Sequence, residues 1–455
     1  MLFFLYLVFF VLIVPINLLA LFFPVVFGVV PLKELSQKLG LYFLFSRHWK
    51  CRKNQAKSLK SSAKKTIWVK LSSVGEWSTA RPFLEKLAKR TGKKLLITYF
   101  NRDIKKYFDK NQPPDFVADH FFYPLENPFA NKIIVNHHNV CALVLVEFEL
   151  WPISILTIRA LGLPVFMVNA TLFAKEGYRY KFFLPFFRKA LDSLTNIYVS
   201  SKSSKDRMIN LLKVEEKKLK LIGEFKVDRA IEKVKERKLD QKLFQILKKL
   251  ANKRKIVIFS SFHFGEKAVI KHYLSNRKQK TFVILAPRYV QQQNVKKWTK
   301  FFAKKNISFL LRSEISNHEI SNQKSNFPKG NFPKNLDVLI LDSYGELFSL
   351  FSMVDLAVIG GSFIRHGGQD ILEPISFGVP VITGPWMHHF SEMVKLFSNC
   401  VSSVDQFSLP KKIDELLSVR GNLKKRSLEI KKTMKKFSGA SEKTALAIAK
   451  YLSKK

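Results

Sequence analysis

Cysteine is scarce in this 455-residue chain: there are three, Cys51, Cys141 and Cys400, and they lie far apart. Their spacing forms neither a redox motif nor, with histidine, a metal-ligand set. A sparse and odd cysteine count is typical of a reducing compartment. The sequence therefore predicts a fold without disulfide staples, and it indicates no metal and no cofactor.

Several familiar functional motifs are also missing. The chain has no Walker phosphate loop, no G-x-S-x-G elbow, and no zinc finger, RNP-type aromatic motif or basic zipper. Yet the net charge is +43 and the pI is about 10.1, which favours an anionic partner: nucleic acid, an anionic membrane surface or an acidic substrate. Lysine is spread along the chain instead of gathered in one block, so nucleic acid is the least favoured and none is predicted.

Charged side chains are absent from residues 1–32. This apolar segment exceeds the roughly 20 residues that cross a bilayer, and no Lys or Arg precedes it as in a cleaved signal peptide. The basic residues follow it, which by the positive-inside rule places the remaining chain in the cytoplasm. We predict a membrane anchor at 1–32 and a basic linker at 33–65. Three prolines interrupt the anchor, so a spanning helix and an interfacial one both stay open.

Short apolar segments alternate with helical ones through the rest of the chain, which is typical of α/β domains with parallel sheets. A Lys- and Glu-rich stretch without strand pattern interrupts this alternation. The pattern predicts a Rossmann-like domain at 66–228, a connecting helix and linker at 229–254, and a second Rossmann-like domain at 255–455. Ligands of such sheets bind at the carboxyl ends of the strands, so an interdomain cleft is expected to hold the site.

A glycine-rich loop at 360–368 follows the apolar strand at 356–359. Its unhindered backbone N–H groups and the helix that begins after it suit an anionic ligand. Glu373 suits hydroxyl groups instead, which points to a ribose or sugar beside the phosphate. An ordinary strand–turn–helix, in which glycine serves packing, explains the loop equally well.

Charged side chains follow other predicted strands. Glu76 starts the first helix and is a candidate general base, or simply an acid favoured by the helix dipole. Glu147 and Glu149 end a buried strand on one side, or one of them caps the next helix. Lys226 brings an ammonium group toward a leaving phosphate or a carboxylate, and Arg288 offers a planar fork of donors to the same groups.

Taken together, these segments resemble the 3-deoxy-D-manno-octulosonic acid (Kdo) transferases. The matching motifs are, in order, SVGE at 73–76, EFELWP at 147–152, VNATL at 168–172, GEFKVD at 223–228, APR at 286–288, DSYGEL at 342–347 and GGSFIRHGGQDILEP at 360–374. These are bacterial inner-membrane enzymes of the GT-B fold, two Rossmann-like domains with an interdomain cleft, that attach Kdo from CMP-Kdo to a lipid A precursor.

The resemblance implies a role for each matching residue. Glu76 corresponds to the general base, and Glu147 and Lys226 to residues that support the transition state. The implied CMP-binding residues are Pro287, Arg288, Tyr344, Gly345, Glu346, Asp370, Ile371, Leu372 and Glu373. The chain departs from the family pattern at Gln369-Asp370-Ile371, where His-Asn-Pro is common.

The resemblance also implies an inverting reaction on lipid IVA without a metal, at the cytoplasmic face of the cell inner membrane, whose anionic surface is an expected partner. Two alternatives stay open. One is another membrane-associated GT-B transferase with a different nucleotide-sugar donor. The other is a membrane-tethered binding protein without catalytic activity.

Overall fold

The computed structural model describes residues 65–124, 126–237, 240–315, 336–418 and 422–454. The predicted anchor at 1–32, and all but the last residue of the basic linker at 33–65, lie outside these ranges. Within them, no helix is both long and apolar enough to cross a membrane. The anchor therefore stays a prediction.

The chain folds into two compact units. One consists of the described residues up to Arg229 together with those from Ser438 onward, and the other is Ala230–Phe437. This division differs from the predicted boundaries at both ends of the second domain. Residues assigned to a linker at 229–254 belong to the second unit, and the end of the predicted domain at 255–455 belongs to the first.

The first unit is built on a seven-stranded parallel sheet in the order β3-β2-β1-β4-β5-β6-β7. The strands are β1 Thr66–Leu71, β2 Leu95–Tyr99, β3 Val117–Phe122, β4 Val140–Val146, β5 Val165–Ala170, β6 Asn196–Val199 and β7 Leu219–Leu221. Its helices up to the second unit are α1 Val74–Thr91, α2 Arg102–Lys110, α3 Pro128–His138, α4 Pro152–Ala160, α5 Ala174–Phe182, α6 Leu184–Ser193 and α7 Lys202–Leu212, with a 3-10 turn at Glu216–Lys218. The next helix, α8 Phe225–Glu236, begins in the first unit and belongs to the second from Ala230 onward. Apolar side chains on both faces of the sheet form two cores.

The second unit repeats this plan with strand order β10-β11-β9-β8-β12-β13-β14. The strands are β8 Ile256–Phe262, β9 Phe282–Pro287, β10 Phe309–Leu311, β11 Val338–Ile340, β12 Leu356–Ile359, β13 Val381–Thr383 and β14 Val401–Ser403. The helices are α9 Gln241–Ala251, α10 Lys267–Asn276, α11 Gln292–Lys304, α12 Leu347–Leu350, α13 Leu372–Ser376, α14 Ser391–Leu396, α15 Leu409–Ser418 and α16 Asn422–Phe437, with 3-10 turns at Phe264–Glu266 and His388–Phe390. Leu243, Leu247 and Leu250 of α9 are buried in this unit's core, which explains why the predicted linker belongs here.

The last helix, α17 Ala440–Ser453, returns to the first unit. Asp228 accepts hydrogen bonds from the backbone N–H groups of Gly439 and Ser441, both at 2.6 Å, and so caps the start of this helix. Ala440 and Ala445, buried in the core with the side chains of α1, allow the two helices to pack closely.

Each sheet reverses its strand order at one point, between β1 and β4 in the first unit and between β8 and β12 in the second. Loops that leave adjacent strands at such a point run in opposite directions, which opens a crevice at the carboxyl edge of the sheet. The predicted α/β class is confirmed, and the loops after these four strands are where ligands are expected.

Candidate active site

Glu76 lies in the first turn of α1, directly after β1. Ser73 begins this helix with extended backbone, and its Oγ accepts a hydrogen bond from Glu76 N at 3.2 Å. The carboxylate turns back, and Oε2 accepts from Ser72 N at 2.6 Å. Burial raises the pKa of Glu76, while the Ser72 N–H and the Lys70 ammonium oppose that rise. A half-buried carboxylate with a raised pKa is suited to accept a proton near neutral pH.

Glu147 follows β4, beside Glu76. Its backbone is in the left-handed region, with φ of 64°, where a residue with a side chain is strained. Burial, assisted by the Glu76 carboxylate and opposed by the Lys226 ammonium, raises the pKa of Glu147 to about 7. Because Glu76 and Lys226 both act electrostatically on Glu147, the structure brings these two residues, which were predicted to carry the chemistry, near the third, Glu147.

We expect this raised pKa to make stability pH-dependent. Because the pKa of Glu147 is about 7 in the folded protein against an ordinary 4.5, its contribution is fully present below pH 4.5 and lost as the pH rises through 7. The free energy of unfolding in urea should fall by up to about 3 kcal/mol across this window, and Glu147→Gln should remove most of the fall. Glu85→Gln, an exposed change on α1, is the control. An unchanged pH profile in Glu147→Gln would contradict the expectation.

Lys70 was not singled out by sequence reasoning, although it is fully buried in β1. Its Nζ donates to Ser72 Oγ at 2.6 Å, forms an ion pair with Glu149 and lies 4.5 Å from the centre of the Trp151 ring. Burial lowers the pKa of Lys70 to about 7, opposed mainly by the Glu76 carboxylate. A lysine inside the otherwise apolar strand TIWVKL was the available signal, because lysine is almost never buried unless it is paired.

Glu149 completes this network. Its carboxylate accepts hydrogen bonds from Ser72 Oγ at 2.7 Å and from Trp151 Nε1 at 3.1 Å. The alternative that Glu147 or Glu149 caps the following helix is wrong. Glu126 caps α4 instead, accepting from the backbone N–H groups of Ile153 and Ser154 at 2.9 and 3.0 Å.

Lys226 is an exposed residue in the otherwise buried first turn of α8. The buried side chain of Asn169, at the end of β5, fixes the start of this helix, because its Oδ1 accepts a hydrogen bond from Phe225 N at 2.9 Å. Asn169 also has a left-handed backbone, with φ of 53°. Loops after β1, β4, β5 and β7 thus converge at one edge of the sheet.

In the second unit, the buried carboxylate of Glu266 organises the glycine-rich loop. Its Oε2 accepts from His263 N at 2.9 Å and from Gly361 N at 2.8 Å, and its Oε1 accepts from Phe363 N at 3.1 Å. Burial raises the pKa of Glu266, and these backbone N–H groups oppose the rise, Gly361 first. Sequence reasoning did not assign Glu266 a role, because Gly361 and Phe363, its partners in the glycine-rich loop, are about a hundred residues away.

Close packing explains part of the glycine content of this loop. A Cβ on Gly360 would lie 2.4 Å from Ser261 O and 2.6 Å from Phe262 Cα, backbone atoms that cannot rotate away. Gly367 and Gly368 have positive φ of 85° and 80°. The interpretation that glycine in this loop serves close packing is therefore confirmed for Gly360.

We expect Gly360→Ala to destabilise the second unit by about 1–3 kcal/mol, the usual cost of forcing extra volume into a packed site. Gly265→Ala is the matched control in the neighbouring loop, since its nearest atom, Ile364 Cδ1, would be 3.7 Å away. Urea unfolding measures the loss, and a CMP-binding titration reports whether the loop is still formed. Equal stability of the two variants would contradict the packing argument.

Two histidines stack beside this loop. The rings of His263 and His366 are 4.4 Å apart and nearly parallel, and Tyr289 meets His263 edge-on. Burial lowers the pKa of His263, and the nearby His366 and Arg288 lower it further, which favours a neutral imidazole. Arg288 itself is exposed, and its backbone N–H is held by Phe262 O at 2.8 Å.

Other predicted CMP-binding residues follow β9 and β11. Pro287 is the buried last residue of β9. Tyr344 is 75% exposed, and Gly345 has φ of 92°. Glu346 is ion-paired with Arg312 at 2.8 Å. Within the second unit these residues lie on loops at the carboxyl ends of their strands.

The remaining predicted residues surround the start of α13. Asp370 Oδ1 accepts from Leu372 N at 2.8 Å, so this unusual carboxylate caps a helix. The side chains of Ile371 and Leu372 are buried, which leaves only their backbone for a ligand. Glu373 is ion-paired with Lys233 at 2.5 Å, and a bound hydroxyl would share its carboxylate with that ammonium.

Known proteins are similar to this chain over most of its length. Residues 45–229 match the sequence model of the family described as 3-deoxy-D-manno-octulosonic-acid transferase (kdotransferase). The chain is 28% identical over 383 residues to the 3-deoxy-D-manno-octulosonic acid transferase of Aquifex aeolicus, which covers 82% of this chain and 92% of that protein. It is 27% identical over 342 residues to the same enzyme of Haemophilus influenzae, with 72% and 73% covered.

Another relative is longer. The chain is 25% identical over 334 residues to a bifunctional glycosyltransferase/methyltransferase of Fusobacterium nucleatum, which covers 72% of this chain but 48% of that protein, about half its length.

Solved structures of low identity share the fold. A UDP-GlcNAc 2-epimerase from Neisseria meningitidis, bound to UDP-GlcNAc, matches with a TM-score of 0.59 and 12% identity over 86% of this chain and all of that one. A glycosyltransferase from Rickettsia africae matches with a TM-score of 0.55 and 15% identity over 86% of this chain and 99% of that one. They show a GT-B-like fold of two parallel sheets.

Proposed function

We propose that this chain, a member of the 3-deoxy-D-manno-octulosonic acid (Kdo) transferase family of glycosyltransferases, moves Kdo from CMP-Kdo to a lipid A precursor, lipid IVA, with inversion at the anomeric carbon. The family model that matches residues 45–229 and the similarity to known Kdo transferases support the proposal. The observation that carries the proposal is the cluster of Glu76, Glu147 and Lys226 at the carboxyl edge of the first sheet. It joins a proton acceptor, a second carboxylate and a cation.

In this proposal Glu76 takes the proton from a hydroxyl of the acceptor sugar. The hydroxyl oxygen attacks the anomeric carbon of Kdo, and the bond to the CMP phosphate breaks. Fixed dipoles and cations stabilise negative charge as it develops. The guanidinium of Arg288 suits the leaving phosphate, whereas the N–H groups of Gly361 and Phe363 in the glycine-rich loop already donate to Glu266. Lys226 suits the carboxylate of Kdo or the same phosphate.

The direct test is mass spectrometry of lipid IVA after incubation with CMP-Kdo and the full-length chain. We expect a product heavier by one or more Kdo residues, together with release of CMP. The Glu76→Gln variant is the control, because it removes the base and keeps the shape of the side chain. An unmodified acceptor after prolonged incubation with folded protein would contradict the proposal.

A different donor is the alternative that the sequence leaves open, and Asp370 is the reason to test it. A carboxylate stands where the family commonly has an amide, and it is engaged by Leu372 N. Thermal unfolding with CMP, UMP and UDP distinguishes the donors, because a ligand stabilises only the protein that binds it. We expect CMP to raise the melting temperature most. A larger shift with UDP would favour a nucleoside-diphosphate sugar.

We further propose that residues 1–32 hold the enzyme on the cytoplasmic face of the inner membrane, where its acceptor lies. Their length and lack of charge support this. We expect the full chain to float with lipid vesicles in a density gradient, and the chain lacking these residues to float less. A full chain that stays soluble would contradict the anchor.

A further inference from the structure

Helix α5 and Phe183, the residue that joins it to α6, present an unusual surface to solvent. We call it the aromatic corner, and define it as Lys175, Tyr178, Arg179, Lys181, Phe182 and Phe183. Phe182 is 80% exposed, Tyr178 64% and Phe183 50%, and the two phenylalanine rings touch with centroids 5.0 Å apart. Within the described part of the chain, Lys175, Arg179 and Lys181 are exposed and are not paired with a carboxylate. Exposed aromatic clusters of this kind mark interaction sites.

The opposite side of α5 shows that this exposure follows from how the helix docks. Gly177 lies so close to Leu211 that a Cβ would come within 2.8 Å of its Cδ1. Tyr180 packs edge-on against Phe148 and Phe187, with ring centroids 5.2 and 5.3 Å apart. One glycine and one tyrosine thus fix the inner face, and the other aromatic side chains of the helix point away.

The aromatic corner is also joined to the candidate active site. Phe148, which Tyr180 contacts, lies between Glu147 and Glu149 in the loop after β4. Glu176, in the first turn of α5, is close enough to Glu147 to act on it electrostatically. A partner bound to the outer side of α5 would therefore be separated from the carboxylates of the loop after β4 by the width of this one helix.

We propose that the aromatic corner docks onto an anionic lipid bilayer, with its rings at the boundary of headgroups and acyl chains and its cations against lipid phosphates. Exposed rings interleaved with Lys and Arg are the composition of interfacial helices, and the charge complements an anionic leaflet. A protein partner would bury the rings equally well, but three unpaired cations among them favour a phosphate-rich surface. The proposal rests on the proposed function only for the identity of the acceptor.

The test places a probe in the corner of the full-length chain. Phe182→Cys, in a background with the three natural cysteines changed to alanine, carries an environment-sensitive fluorophore. Phe407→Cys is the matched control, since Phe407 is 69% exposed and lies in the second unit. With phosphatidylglycerol vesicles we expect a blue shift and a rise in intensity at position 182 and neither at 407, with a weaker response to pure phosphatidylcholine.

Three results would overturn the proposal. The first is a probe at 182 that stays in water while the protein sediments with the vesicles. The second is an equal response at both positions. The third is a probe at 182 that is already shielded without lipid, which would mean that another segment of the chain covers the corner.

A charge variant tests the cations. Lys175→Glu with Lys181→Glu should weaken the fluorescence-detected insertion by at least about fivefold for each cation removed. Turnover on acceptor in vesicles should fall in parallel, and turnover on a deacylated, soluble acceptor should not. Insertion without any Kdo transfer by the parent chain would overturn the proposed function alone. Kdo transfer without insertion at 182 would overturn the docking surface alone.

Discussion

Glu76→Gln is expected to lower turnover by about 10²–10⁴-fold, the usual contribution of a general base. The amide keeps an oxygen that accepts from Ser72 N, so the loop after β1 stays formed and CMP-Kdo binding changes little. The variant loses only the capacity to take a proton. Initial-rate measurements of CMP release at saturating donor and acceptor determine the size of the effect.

Two controls make this result specific. Glu85→Gln alters an exposed glutamate of the same helix, and its rate should match the parent. The pH dependence of kcat/KM in the parent should rise with pH to a plateau, with a midpoint above the ordinary 4.5 because burial raises the pKa of Glu76. A Glu76→Gln enzyme with the parent rate would remove this residue from the mechanism.

Lys70→Met is expected to destabilise the first unit by about 3 kcal/mol, because it leaves Glu149 in a largely enclosed site without its counter-charge. Since Glu149 is about a third exposed, we take the lower end of the range for buried pairs. Turnover should also fall, by about 10–10²-fold, because Lys70 holds Ser72, and the backbone N–H of Ser72 holds Glu76. Urea unfolding and initial rates separate the two effects.

The double variant Lys70→Met with Glu149→Gln removes both charges, and it should regain much of the stability without regaining the rate. Lys105→Met is the control for loss of a lysine, since its ion pair with Asp109 is exposed and is worth less than about 1 kcal/mol. If Lys70→Met unfolds at the same urea concentration as Lys105→Met, the buried pair does not support this site.

Sequence alone predicted the α/β plan and the strands on either side of the point where each sheet reverses its strand order, because buried parallel strands are continuous apolar runs. It missed β3, where Asp119 and His120 break the apolar pattern of a strand at the edge of the sheet. It also missed β14, which has three residues and ends in two serines.

The candidate site was predictable as far as its residues follow strands. Glu76, Glu147 and Lys226 stand in such positions, and the structure brings them together. Lys70 and Glu266 were not predicted, because their significance depends on partners that are distant in the chain. The local signal for Lys70, a lysine inside an apolar strand, does not reveal its partner Glu149 and is easily overlooked among 78 basic residues. A glutamate at a helix start does not reveal that it will hold a loop some 95 residues further on.

The return of α17 to the first unit has a consequence for the order in which this protein is made. α1, which carries Glu76, packs against a helix that the ribosome synthesises only after the whole of Ala230–Phe437. Domains generally fold as they emerge, the earlier first, but here the later unit has its complete sequence while the earlier one still lacks a helix of its core. A nascent chain released before residue 438 would therefore carry an intact second unit and an unfinished first.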